Sequence, residues 1–317
     1  MRLFFILVFA LFLASCGEII GGNSSKAVDK AVVTEMGCSA AQFSPDSRYI
    51  AWGGEKFKGL FVKDLVSGTV TKISDADSAG WKFSWAPDSS GIAFRENIMD
   101  RSKQIFRIQK RMLAKDSNDL VGEFEHSIWP PLWRDSIYSV DTVRISNISL
   151  AAKPAMSLKT TANSLIYNAF TSSNSVSVID IKTGRLVINF NEGTHSPAIS
   201  PDGRSVLYIE LDTIKVYDIF SAKTVIVGRG SSASWAGNSK IVYNFTTDNN
   251  MNITYSEVRL FDIKDNKFKI IAVNPDKIPL FPSISSDGSK LIYTDNVSGH
   301  LFIRNLKDQI WGVENEN

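Results

Sequence analysis

The residue with the clearest chemistry is Cys16. A thiol is a nucleophile, and this one follows Leu13, Ala14 and Ser15 at the end of an apolar run. The run from Leu3 to Leu13 is eleven residues without a charge, and Arg2 precedes it. A positive start, a short apolar stretch and small residues ahead of a cut site compose a secretory signal. Eleven residues fall short of the roughly 20 that a spanning helix needs.

Other chemistry is sparse. His126, His195 and His300 fall in separate parts of the chain and show no metal-ligand spacing. Asp75-Ala76-Asp77 lacks the rest of a calcium loop, and Gly228-Arg229-Gly230 is not a phosphate loop. There is no Gly-x-Ser-x-Gly for a nucleophile elbow. Cys38 is the second of two cysteines and reads as a small buried hydrophobe, with no disulfide expected. The expectation is no catalytic residue, no metal and no cofactor. Trp129-Pro130-Pro131-Leu132-Trp133 is the one unusual aromatic cluster. Trp129 is the candidate ligand-binding residue, since an indole can stack on a sugar or a peptide. Packing is the alternative role, as for Trp133, which aligns with Trp85 and Trp235 in the core of their strands.

Lys and Arg number 35 against 33 Asp and Glu, for a net charge of +2. Without a like-charge block, neither nucleic acid nor an anionic bilayer is implied as a ligand. The nearest to a basic cluster, Arg107 to Arg111, reads as an exposed face or loop. Hydrophobic residues make up 44% of the chain, enough for a globular body.

The elements that position these residues come as a repeat. Phe43-Ser44-Pro45-Asp46-Ser47, Trp85-Ala86-Pro87-Asp88-Ser89, Ile199-Ser200-Pro201-Asp202-Gly203 and Ile284-Ser285-Ser286-Asp287-Gly288 are four copies of one hairpin. Proline presets φ for a tight turn, the aspartate caps it, and Gly or Ser closes it. Asp46, Asp88, Asp202 and Asp287 are therefore structural turn residues. Trp235-Ala236-Gly237-Asn238 keeps the spacing, with Gly237 in the aspartate place. An aromatic closes each following strand: Trp52, Phe94, Tyr138, Tyr167, Tyr208, Tyr243 and Tyr293. A third strand ends in Asp or Asn, as at Asp64, Asn147, Asp180, Asp218, Asp262 and Asn305. A fourth follows at Val70 to Ile73, Leu186 to Phe190, Val225 to Val227 and Phe268 to Ile271. Four short strands per unit of about 40 residues predict an all-β fold, a β-propeller of four-stranded antiparallel blades. The aromatics count seven units; six is the alternative if the weak third and fourth units share a blade. Insertions at Lys110 to Glu123 and Thr246 to Ser256 are expected to lengthen loops. Ala31-Val32-Val33-Thr34 is expected to close the ring beside Ile310-Trp311-Gly312-Val313, removing an open edge.

Two resemblances follow. Leu13-Ala14-Ser15-Cys16 resembles the lipobox of bacterial lipoproteins, which implies that residues 1–15 are removed and Cys16 is acylated. Gly17 in place of Asp favours the outer over the inner membrane. Two or three acyl chains would make attachment lasting, where one alone is reversible. Residues 16–30 then form a lipidated tether, flexible through Gly21-Gly22-Asn23-Ser24-Ser25. Residues 31–317 are expected to form the propeller, and about residues 38 to 313 of it resemble the TolB-type propeller repeat, marked by its Ser-Pro-Asp-Gly hairpin and commonly six-bladed. That family spans non-enzymatic proteins, peptidase propellers and sugar lyases, so the resemblance implies a fold and no activity. The expected function is a non-enzymatic cell-envelope lipoprotein. Its propeller would bind a protein or peptide; a glycan is the alternative partner.

Overall fold

A computed structural model describes residues 29–34, 37–139, 167–172, 174–181 and 183–306. Cys16, the signal, the tether before Asp29, the strand around Asn147, the start of the fourth unit and residues 310–313 lie outside them.

The chain runs almost wholly as antiparallel strands. After β1 (Lys30–Val33) comes a first four-stranded sheet of β2 (Ser39–Phe43), β3 (Tyr49–Gly53), β4 (Leu60–Asp64) and β5 (Val70–Ser74). The second holds β6 (Ser84–Trp85), β7 (Gly91–Asp100), β8 (Lys103–Met112) and β9 (Asn118–Phe124). A two-stranded sheet follows, β10 (Leu132–Trp133) and β11 (Ile137–Tyr138), then a three-stranded one of β12 (Tyr167–Ser172), β13 (Ser175–Asp180) and β14 (Arg185–Glu192). Two further four-stranded sheets are β15 (Thr194–Ile199) to β18 (Lys223–Arg229) through β16 (Ser205–Glu210) and β17 (Thr213–Asp218), and β19 (Ser231–Ala236) to β22 (Lys267–Val273) through β20 (Lys240–Asp248) and β21 (Ile253–Asp262). The last contains β23 (Pro279–Ile284), β24 (Lys290–Asp295) and β25 (Leu301–Asn305), and β1 supplies its outer strand.

The first strands of these sheets face one another. β6 touches β10, β12 touches β15, β19 touches β23, and β23 touches β2, so the end of the chain meets its beginning. This is a β-propeller of four-stranded antiparallel blades. The described residues contain five complete four-stranded blades, not the seven or six expected. The third and fourth units, interrupted by residues 140–166, contribute only two and three strands.

The closing aromatics explain how the blades adhere. Trp52, Phe94, Tyr138, Tyr208, Tyr243 and Tyr293 are all buried on the second strand of their sheets. Within their own sheets Trp52 stacks on Phe61 and Tyr293 on Phe302, with centroids 5.7 Å apart in both pairs; between sheets, Trp52 shares a buried cluster with Ile292, and Tyr293 with Val242 and Leu260. Burying such rings contributes roughly 25 cal/mol per Å² of apolar surface. Cys38 is buried beside Val33, Phe43 and Trp52.

The clasp strand finds a described partner, and two local expectations are corrected. The clasp strand pairs with β25, in the register Lys30↔Ile303, Ala31↔Phe302 and Val33↔Leu301; the partner expected for it, residues 310–313, lies outside the described residues. β25 is the exposed edge of the last sheet, and its ladder groups need a partner. Arg107 to Arg111 lie inside strand β8 rather than a loop, with Arg107 paired to Glu123 at 2.6 Å and Arg111 buried. The two insertions lengthen strands: β8 and β9 pair Phe106 with Phe124, and β20 and β21 pair as far as Asp248 with Ile253.

Candidate functional site at the axial mouth

The first strands carry a shared irregularity. Ala40, Lys82, Ser196, Ser232 and Phe281 all have positive φ, between 49 and 53°. Each lies three residues before the residue whose partner on the second strand is Ile50, Ile92, Val206, Ile241 or Leu291. In four of the five the register slips across this point, which is a β-bulge. A bulge bends the strand and re-aims a side chain. Non-glycine residues adopt this conformation only when the surroundings impose it.

At four of the five positions the side chain is small or apolar; in the second blade it is Lys82. Its ammonium lies 3.4 Å from the carbonyl oxygen of Pro197, on the first strand of a sheet three further along the chain. This contact spans the ring. The same ammonium lies 4.7 Å from the Trp129 ring centre and 5.9 Å from that of Trp81. The two indoles meet edge to face at 5.5 Å. Arg95, buried on β7, lies 4.8 Å from the Trp81 centre and 5.5 Å from that of Phe106. Its Nη1 donates to the Ile128 carbonyl, and its Nε is buried without a partner. The neighbouring carboxylate, Glu96, accepts from Ser74 and Gln109, since successive strand residues face opposite ways.

Two cations thus share one aromatic ring with no carboxylate paired to either among the described residues. Burial pushes the Lys82 ammonium down to about 8 and the Arg95 guanidinium down to about 10. Lys82 and both tryptophans keep partial exposure, so solvent reaches them. The site lies at the end of the ring where second and third strands are joined. A cavity of about 530 Å³ lined by Trp52, Glu55, Lys58 and Asp77 opens from the same end.

The opposite end carries the repeated hairpins. Asp46 Oδ1 accepts from the Ser44 hydroxyl at 2.5 Å and the Arg48 amide at 3.0 Å; Asp202 and Asp287 repeat this with Ser200 and Arg204, and with Ser285 and Ser289. Asp88 accepts from Ser90 alone, because Ala86 replaces the serine. The hairpins also bond to one another. The Asp46 amide donates to Ser89, that of Asp202 to Asn238, and that of Ser286 to Ser47.

Trp129, the sequence candidate, is half-buried against Trp81 rather than presented at a loop tip. Its carbonyl accepts from Ser139. Trp133 stands on β10 opposite Ile137, the place Trp85 and Trp235 take opposite Ile92 and Ile241. His126 and His300 are half-buried and His195 is exposed. No group of three His, Cys, Asp or Glu that could hold a metal occurs among the described residues. Sequence reasoning missed Trp81, Lys82 and Arg95. The available signal was a lysine standing where other repeats place Ala40, Ser196 or Ser232.

No protein-family model matches the chain, and no curated protein matches it. Solved structures do share its architecture. The β-propeller domain of Cps50 (Swd1) from Myceliophteria thermophila is 11% identical, with a TM-score of 0.56 over 88% of this chain and 99% of that one. A chain of the mitotic checkpoint complex is 12% identical, with a TM-score of 0.50 over 95% of this chain and 98% of that one. An oligogalacturonate lyase solved with manganese is 13% identical, with a TM-score of 0.47 over 89% and 80%. At these identities the likeness is one of fold, and the fold it identifies is the β-propeller.

Proposed function

We propose that this chain is a non-enzymatic lipoprotein of the bacterial cell envelope whose TolB-type propeller binds a protein or peptide partner. The observation that carries this reading is the clasp. Strand β1, which closes the ring, starts at Lys30, directly after the tether that runs back to Cys16. A lipid on Cys16 would therefore hold a closed, rigid body by its own fastening strand. A ring of this kind offers a preformed surface and loses little freedom on binding. The sheets of two and three strands are read as parts of two further blades, which makes seven. The outer membrane is the favoured site, from Gly17 after the cysteine.

Mass spectrometry of the protein taken from its native cells tests the anchor. Cys16 should be the first residue and carry acyl chains; an unmodified Cys16 would contradict it. Capture of the full lipidated protein from detergent-solubilised envelopes tests the platform. A protein partner should be retained at near-stoichiometric amounts, and no such partner would count against binding as the function.

A further inference from the structure

The cationic group at the axial mouth is only partly compensated by what touches it: Lys82 reaches the Pro197 carbonyl and two indoles, and Arg95 the Ile128 carbonyl and two rings. Lys82 holds a left-handed backbone conformation that costs energy, and its ammonium loses hydration. Arg95 is buried with an Nε that nothing satisfies. Buried charges are normally paired, because an unpaired one is expensive. Neither Lys82 nor Arg95 has an acidic partner among the described residues. Other buried arginines do: Arg304 has Asp29, and Arg111 has Asp116.

We propose that Trp81, Lys82, Arg95 and Trp129 form an anion-binding site at the mouth of the propeller, and that its ligand is an acidic side chain of an extended peptide. This rests on the reading of the propeller as a protein- or peptide-binding ring. Lys82 supplies a point charge reachable from solvent, and Arg95 holds the field from behind through the Trp81 ring. One face of each indole is already taken by a cation, at 4.7 Å on Trp129 and 4.8 Å on Trp81. Those faces are closed to sugar stacking, and the edge-to-face contact of the two indoles takes a further face and edge. The ammonium must be charged to bind, so affinity falls as pH rises through the Lys82 titration near 8.

The test is selection from a random hexapeptide pool on the immobilised full chain at pH 7, with bound peptides sequenced by mass spectrometry. Asp and Glu should be enriched at least about fivefold over the input, which corresponds to roughly 1 kcal/mol. Lys82→Asn should abolish the enrichment. Asparagine tolerates the left-handed conformation, so this variant keeps the fold. Lys82→Met is the second variant, with circular dichroism as the check on both. Lys82→Arg should retain the enrichment. Equal enrichment in the wild type and Lys82→Asn overturns the site, as does a bound pool without acidic bias. Retention of a short acidic oligosaccharide by the wild type, with no peptide selected, overturns the peptide assignment. If an envelope partner is captured equally by the wild type and Lys82→Asn, the platform stands and the axial site falls. If no partner is captured by either, the platform reading fails independently of the pool.

Discussion

Asp29 and Arg304 join the first described residue to the last strand of the ring through two parallel hydrogen bonds. Arg304 Nε donates to Asp29 Oδ1 at 2.6 Å and Nη2 to Oδ2 at 2.9 Å. Both side chains are under a tenth exposed. Arg304 also donates to the Ile271 carbonyl of the preceding blade. Four residues of β1 gain a fixed register from this fork, and the register decides which face of the strand Val33 buries.

Removing one partner should therefore cost more than removing both. Asp29→Ala leaves a buried guanidinium unpaired and should destabilise the protein by about 3–5 kcal/mol in urea unfolding. The double variant Asp29→Ala, Arg304→Met should recover part of that loss. A single-variant cost below about 1 kcal/mol would mean that the clasp is not held this way.

Acid should unfold the ring through its turn aspartates. Burial pushes the Asp287 carboxyl up, but the Ser285 hydroxyl and the Ser289 amide and hydroxyl outweigh it and hold the group at about 2. Asp29 is likewise held below its usual value: burial raises it, and Arg304, Tyr293 and Asn274 together more than offset that. A carboxylate lowered on folding stabilises fully above its unfolded pKa, near 4, and loses that contribution as pH falls through the folded value. Melting temperature should therefore fall steeply between about pH 4 and pH 2. Asp287→Asn should make that slope shallower.

Gly80 marks a place where two backbones touch. A Cβ there would lie 2.2 Å from the Gly53 Cα, at the seam between the first two blades. Gly80→Ala should cost at least about 2 kcal/mol, because neither backbone can withdraw. Gly68 is the control: its φ is +78° but nothing lies within 4 Å of a Cβ. Gly68→Ala should cost only the conformational part, about 1 kcal/mol. Equal losses at the two positions in denaturant titrations would contradict the contact.

Lys82 should leave a signature opposite in sign to that of the aspartates. Its folded pKa, about 8, lies below the unfolded one. Between the two values the unfolded chain binds more protons, so stability rises with pH there. Lys82→Met should flatten this rise and stabilise the protein below pH 8. A wild-type stability that stays level from pH 8 to 10 would show that the ammonium is not desolvated.

The parts of this molecule that were readable in advance are those with local causes. The hairpins of Asp46, Asp202 and Asp287 need particular residues at adjacent positions, so the chain spells them. Closing aromatics such as Trp52 and Tyr293 recur because each blade must seal against the next. The pairing of β1 with β25 was not legible, because an edge strand has no local signal for its register; the otherwise open edge of β25 decides it. The stretches Lys110 to Glu123 and Thr246 to Ser256 were taken as lengthened loops because their polar, charged residues hide most of strand β9 and the outer end of the β20–β21 hairpin. The axial cluster was hidden for a different reason. Trp81 and Lys82, Arg95 and Trp129 come from three separate segments, and only the bulge and the ring bring them together.

The central claim is that this propeller holds a protein partner at the end where Lys82 lies. Amine-reactive cross-linking in intact native cells, read by mass spectrometry, tests it most directly. Lys56 and Lys58 lie exposed between second and third strands at that end and Lys103 opens the third strand β8 there, whereas Lys223 and Lys267, also exposed, open the fourth strands β18 and β22 at the other. The account predicts cross-links from the first three to one recurring envelope protein. Links confined to Lys223 and Lys267, or none to any protein, would contradict it.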